Sequence, residues 1–149
     1  MQTAKTMLVL CLSLTTMPVF AKGDLTRQEP IEVNIMLGDA DNPMAFTPSN
    51  LKFETGKLYK LVFRNESDLK HYFVSEKFSN AVFSRKVQVM GADGKRISEV
   101  KGIIKEIEVD PGGLVEWWFV PVQTVEANDL KCTIEGHAEA GMTGTIVVY

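Results

Sequence analysis

The run Cys132-Thr-Ile-Glu-Gly-His137-Ala-Glu-Ala-Gly-Met142, continued by Thr143-Gly-Thr-Ile-Val-Val-Tyr149, organises the reading of the whole chain. Its first part sets a thiol, an imidazole and a thioether at five-residue intervals, so that one loop can wrap three donors around one point. Its second part is an apolar segment that closes the sequence as a strand. The chain has two histidines and two cysteines, and the histidine outside this run, His71, lies about sixty residues upstream of Cys132.

Outward from that loop the pattern is one of short strands. The tight turn Asp110-Pro-Gly-Gly113 leads into Leu114-Val-Glu-Trp-Trp-Phe-Val120, a strand whose adjacent tryptophans must point to opposite faces. Ile31 to Ile35 alternates apolar and polar residues. Leu51 to Glu54, Leu58 to Arg64, His71 to Val74 and Ile103 to Val109 are further strand candidates separated by turn-forming stretches. Phe78, Val82 and Phe83, spaced i, i+4, i+5, predict a short amphipathic helix within Glu76 to Lys86. Gly91 to Gly94 reads as a turn, Lys95 to Gly102 as exposed loop and Pro121 to Asn128 as a connector. Seven or eight short strands with one helical insertion predict an all-β fold, an antiparallel β-sandwich.

The N-terminal residues read as a secretory signal. Lys5 supplies positive charge, Met7 to Phe20 is mostly apolar, and Val19-Phe20-Ala21 offers a cleavage site after Ala21. That apolar run is about 14 residues, short of the roughly 20 that span a bilayer. Residues 1–21 are therefore expected to be removed, leaving 22–149 as a single domain, exported to the periplasm and not inserted in a membrane. The net charge of −3 becomes about −4 when Lys5 is lost, a balance that argues against nucleic-acid binding. Loss of Cys11 with the leader leaves Cys132 alone. In an oxidising compartment a free thiol is a liability unless something occupies it; burial as a small apolar residue is the competing explanation.

A thiol, two imidazoles and a thioether form the ligand set of a type 1 copper site: trigonal His₂Cys with a weak axial Met. Such a set holds Cu(I) and Cu(II) in a geometry acceptable to both, so electron transfer needs little rearrangement. His71, Cys132, His137 and Met142 are the candidate metal ligands. Met36, Met44 and Met90 are weaker candidates for a second Cu(I) site, with packing as the competing role.

At these residues the chain resembles the cupredoxin family, the plastocyanin–azurin group of type 1 copper proteins, over nearly all of the segment after the leader. Pro48-Ser-Asn-Leu-Lys-Phe with Gly56, the segment Tyr59 to Asn65 with His71, Val109-Asp-Pro-Gly with Trp117-Trp-Phe, and Cys132-x4-His137-x4-Met142 with Gly144-Thr-Ile-Val-Val carry the likeness in order. The resemblance implies a Greek-key sandwich, one type 1 copper ion, Cys132, His71 and His137 as equatorial ligands, Met142 as the axial one, and His137 as the ligand nearest the surface. Three positions depart from the family. Tyr72 stands after the first histidine, where Asn or Ser often ties the ligand loops together. Asp-Leu-Lys precedes Cys132 where an aromatic residue is common, and Glu135 and Glu139 flank His137 where relatives are often apolar.

The function expected is electron transfer by a periplasmic, blue or green copper protein meeting a redox partner protein. Copper homeostasis or tolerance, with delivery to or from a donor or acceptor protein through the same four residues, is the alternative. An enzyme is not expected, since two histidines cannot furnish both a type 1 and a catalytic copper site. A monomer is expected.

Overall fold

A computed structural model describes residues 28–149. The expected leader, Cys11 and the first residues of the arm after it lie outside the described residues. The elements, in order, are β1 (Ile31–Leu37), β2 (Phe46–Thr47), β3 (Asn50–Phe53), β4 (Tyr59–Arg64), β5 (His71–Val74), α1 (Glu76–Ala81), β6 (Val82–Met90), β7 (Arg96–Val100), β8 (Glu106–Val109), β9 (Leu114–Pro121), β10 (Val125–Lys131) and β11 (Thr143–Val148). They form two facing sheets, one in the order β2-β1-β4-β9-β6-β7 and one in the order β3-β11-β10-β5-β8.

Period-two alternation explains the core. In β9, Val115, Trp117 and Phe119 are buried while Glu116 and Trp118 are half-buried. Their register partners on β4 are Phe63, Leu61 and Tyr59, so both strands present one apolar face inward. The opposite sheet answers with Ile146 beside Leu51 and Val148 beside Phe53, all buried. Where the sheets meet, Phe53 stacks on Phe78 at 5.3 Å and meets Phe119 edge-on at 5.3 Å, and Phe78 meets Trp117 edge-on at 5.6 Å. Aromatic pairs in such orientations add roughly 0.5–1.5 kcal/mol each beyond area burial. Trp118, on the other face, lies under the ammonium groups of Lys60 and Lys86, at 5.6 and 4.4 Å from its ring centre. The two tryptophans thus divide as their adjacency requires.

The sandwich stands as expected, but its sheets are mixed. β1 pairs with β4, and β3 with β11, in parallel, and both chain ends of the sandwich use this arrangement. Among the described residues, eleven strands replace the seven or eight expected. The expected loop at 95–102 contains β7, paired with β6, and the expected connector at 121–128 already contains the start of β10. The strand expected from Ile103 begins at Glu106. The helix ends at Ala81 rather than near Lys86, because residues from Val82 onward pair with β9. Phe83 had suggested a helical stripe, yet it is 62% exposed. Long-range pairing overrides a spacing that matches a helix only locally.

Within α1 the sequence explains both ends. Ser75 is extended (φ −148°, ψ 108°) and its hydroxyl accepts from the Phe78 N–H at 3.3 Å, which caps the first turn. Phe78 and Ala81 go into the core. Asp129 on β10 then accepts from the Ser75 hydroxyl at 2.6 Å and from the Lys77 N–H at 3.0 Å, which fastens the helix to the strand that leads to Cys132. Among the described residues, no helix is long and apolar enough to cross a membrane.

Candidate metal centre

Three strands deliver the donors. His71 opens β5, opposite Val109 of β8. Lys131, the last residue of β10, pairs with Val74 on one side and Thr143 on the other, so Cys132 leaves the sheet beside β5. The loop from Cys132 to Met142 closes on itself: the Cys132 N–H donates to the Met142 carbonyl at 3.0 Å, and the Met142 N–H donates to the His137 carbonyl at 2.9 Å. Gly136 permits the turn within it, with φ at +83°, a region that disfavours other L-residues.

The structure brings His71, Cys132 and His137 together, with one donor atom from each within 4.8 Å of the others. Cys132 Sγ lies 3.4 Å from His137 Nδ1 and accepts from the Tyr72 backbone N–H at 3.3 Å. The imidazole centres are 5.1 Å apart and tilted by 57°. His71, Cys132 and Met142 are buried, whereas His137 retains 8% exposure and is the member of the four that touches solvent most. Two backbone bonds tie Met142 to Cys132 and His137, and its side chain is buried. Of the remaining candidates, Met36 and Met90 do not gather: they occupy one row of the six-stranded sheet through Arg64 and Leu114, three strand spacings apart. At about 4.8 Å per spacing, that is roughly 14 Å, too far for a shared ion.

Burial disfavours the charged ring and holds the His71 imidazole below its ordinary pKa. The nearby His137 acts in the same direction, and the Pro43 carbonyl opposes both. The neutral ring suits a metal ligand. His71 Nδ1 is buried and has no hydrogen-bond partner, whereas Nε2 lies 3.0 Å from the Ser67 hydroxyl. An orphaned buried nitrogen costs about 1–3 kcal/mol unless something takes its lone pair. Placed next to a buried thiol and a second imidazole, it fits a soft or borderline cation.

The residues around these donors were not legible beforehand. Tyr72 resolves one departure: the tie to the cysteine is made by its backbone N–H, which any residue but proline supplies. Its ring turns away to β8, where its hydroxyl donates to Glu108 at 2.8 Å beside Lys70, which donates to the same carboxylate at 3.0 Å. Gly38 and Pro43 back His71, since a Cβ on Gly38 would sit 3.0 Å from Nε2. Before Cys132, Leu130 is buried in the core. Glu135 and Glu139 are both exposed.

No family model matches the chain, and no curated protein matches it. Solved structures do. Auracyanin A, a "blue" copper protein from the green thermophilic photosynthetic bacterium Chloroflexus aurantiacus, is 17% identical, with 81% of this chain and 100% of that chain covered and a TM-score of 0.50. The copper-containing nitrite reductase of Thermus scotoductus SA-01 is 14% identical over 84% of this chain and 32% of its own, with a TM-score of 0.57. McoA multicopper oxidase of Aquifex aeolicus is 16% identical over 89% of this chain and 31% of its own, with a TM-score of 0.53. This chain thus spans about a third of those two enzymes and the full length of the smaller protein. The fold is therefore a cupredoxin-like β-sandwich.

Proposed function

We propose that this protein is a type 1 copper protein that carries electrons, in which Cys132, His71 and His137, with Met142 as a weaker donor, would hold one copper. The observation that carries this reading is the buried convergence of a thiol and two imidazoles, one with an orphaned nitrogen, on a loop that also holds a thioether. Copper in such a set supplies one-electron chemistry between Cu(II) and Cu(I). The protein supplies the rest. β5, β10 and β11 fix the donors in place, and the closed 132–142 loop prevents them from opening out. The Tyr72 N–H stabilises negative charge on the sulfur. His137, the most exposed of the four at 8%, is the contact for a redox partner protein.

The shared fold with Auracyanin A, described as a "blue" copper protein, supports the same assignment. Residues 1–21 are proposed as a cleaved leader and the periplasm as the site of action, with the folded part a monomer and no enzymatic activity of its own. Addition of Cu(II) to the purified protein is expected to give an intense thiolate-to-copper band in the visible spectrum, absent from Cys132→Ser. A folded, reduced wild type without that band would sink the proposal. A protein that shows the band yet loses its copper to an acceptor faster than it exchanges electrons would instead be handling copper for homeostasis through the same residues.

A further inference from the structure

The buried network behind His71 contains enough fixed donors and acceptors to assign its protons. Asn65 is 1% exposed, and its Nδ2 lies 2.6 Å from the Leu69 carbonyl and 2.9 Å from the Val109 carbonyl. Both oxygens accept only, so the amide NH₂ must point at them and Oδ1 must point the other way. There Oδ1 accepts from the Ser67 N–H at 3.0 Å and lies 2.8 Å from the Ser67 hydroxyl. That hydroxyl has a single hydrogen and four neighbours: Asn65 Oδ1, the Leu69 carbonyl at 3.1 Å, the Leu69 N–H at 3.3 Å and His71 Nε2 at 3.0 Å. The first two can only accept, so the hydrogen goes to one of them. The oxygen lone pairs then face the Leu69 N–H and Nε2, and Nε2 must bring the proton. Were Nε2 the acceptor, both oxygens, rather than one, would face the hydroxyl's lone pairs.

We infer that Ser67, oriented by Asn65, is a positioning residue that selects the Nε2–H tautomer of His71 and so presents the Nδ1 lone pair to the metal before any metal arrives. The relay runs from the Val109 carbonyl through the Asn65 amide and the Ser67 hydroxyl to the ring, all within buried backbone. Asn65 is itself anchored, its N–H on the Gly113 carbonyl at 3.2 Å and its carbonyl accepting from Gly112 at 2.9 Å. In the other tautomer Nδ1–H would point into the site and Nε2 would meet lone pairs, so a ligand would have to rotate or shift its proton first.

This inference rests on His71 being a metal ligand, as proposed above, but it is tested on the metal-free protein. Long-range ¹H–¹⁵N correlation of the histidine rings is expected to show His71 protonated on Nε2 and bare on Nδ1. Ser67→Ala is expected to move both nitrogen shifts towards a mixture of tautomers and to weaken Cu(II) binding about 10- to 100-fold. Ser67→Thr, which keeps the hydroxyl, is expected to restore the wild-type shifts. A wild-type ring protonated on Nδ1 overturns the inference whatever the variants do, as does a Ser67→Ala protein with unchanged imidazole shifts. Failure of the copper reading shows separately, as loss of the visible band in a wild type whose tautomer is as stated.

Discussion

Gly38 shows how closely the backbone crowds the first histidine. Its φ of +75° already disfavours a side chain, and a Cβ there would stand 2.5 Å from the Pro43 carbonyl oxygen and 3.0 Å from His71 Nε2. Gly38→Ala is therefore expected to cost about 1–3 kcal/mol of stability. It should also weaken Cu(II) binding, because the ring must move. Urea unfolding of the metal-free protein alongside a copper titration checks both, and a variant as stable and as tightly binding as wild type would contradict this packing. At this scale legibility was uneven. Three of the candidate donors, His71, Cys132 and His137, could be read from residue type and spacing, since histidines and cysteines are scarce in the chain and their chemistry is local. Gly38, Asn65 and Ser67 could not, because a serine four residues before a histidine means nothing until the loop folds its hydroxyl onto Nε2.

At the scale of elements, α1 depends on a cap shared with a strand. Ser75→Ala removes a helix cap, expected to cost about 0.5–2 kcal/mol, and takes one partner from Asp129. Burial pushes the Asp129 carboxyl up, but the Lys77 N–H and the Ser75 hydroxyl together prevail and leave it below the usual carboxylate range. A depressed folded pKa means that the contribution is complete above the unfolded value, near 3.9, and is lost as pH falls through the folded one. Asp129→Asn should therefore be less stable than wild type near neutrality, with the gap in melting temperature narrowing below about pH 4. A gap independent of pH would show that the carboxylate charge is not what holds helix to strand. The expected strand at Leu114 to Val120 and the final strand held because their alternation and bounding turns are strong. β7 and the start of β10 escaped notice because Arg96–Val100 and Val125–Lys131 owe their conformation to the neighbours they pair with, β6 and β11.

Over the whole molecule, charge is unevenly placed. Loops 38–45, 65–70, 110–113 and 132–142 meet at the end that carries His71, Cys132 and His137: Gly38 O accepts from Glu66, Asn65 bonds Gly112 and Gly113, and Cys132 takes the Tyr72 N–H. These loops hold seven carboxylates and one lysine, while the other described residues hold eleven acids and twelve bases. The proposed electron transfer should then be faster with a cationic inorganic oxidant than with an anionic one of equal driving force. Added salt should slow the first and speed the second. Stopped-flow rates at two ionic strengths decide the point, and equal salt dependence for both oxidants would refute it. The aromatic centre sets the stability on which this end is built: Phe53→Ala, at the contact with Phe78, Tyr59 and Phe119, is expected to cost about 3–5 kcal/mol.

What the sequence by itself determined was the all-β sandwich and the candidacy of His71, Cys132 and His137, because donor chemistry belongs to single residues and the alternation of strands to near neighbours. The tertiary structure alone decided that β1 and β3 join their sheets in parallel. It also decided that Ser67 faces His71. Each of these depends on residues far apart in the chain being brought together: the strand partners by sheet pairing, and the Ser67 hydroxyl by a loop that Asn65 fastens to Val109, Gly112 and Gly113.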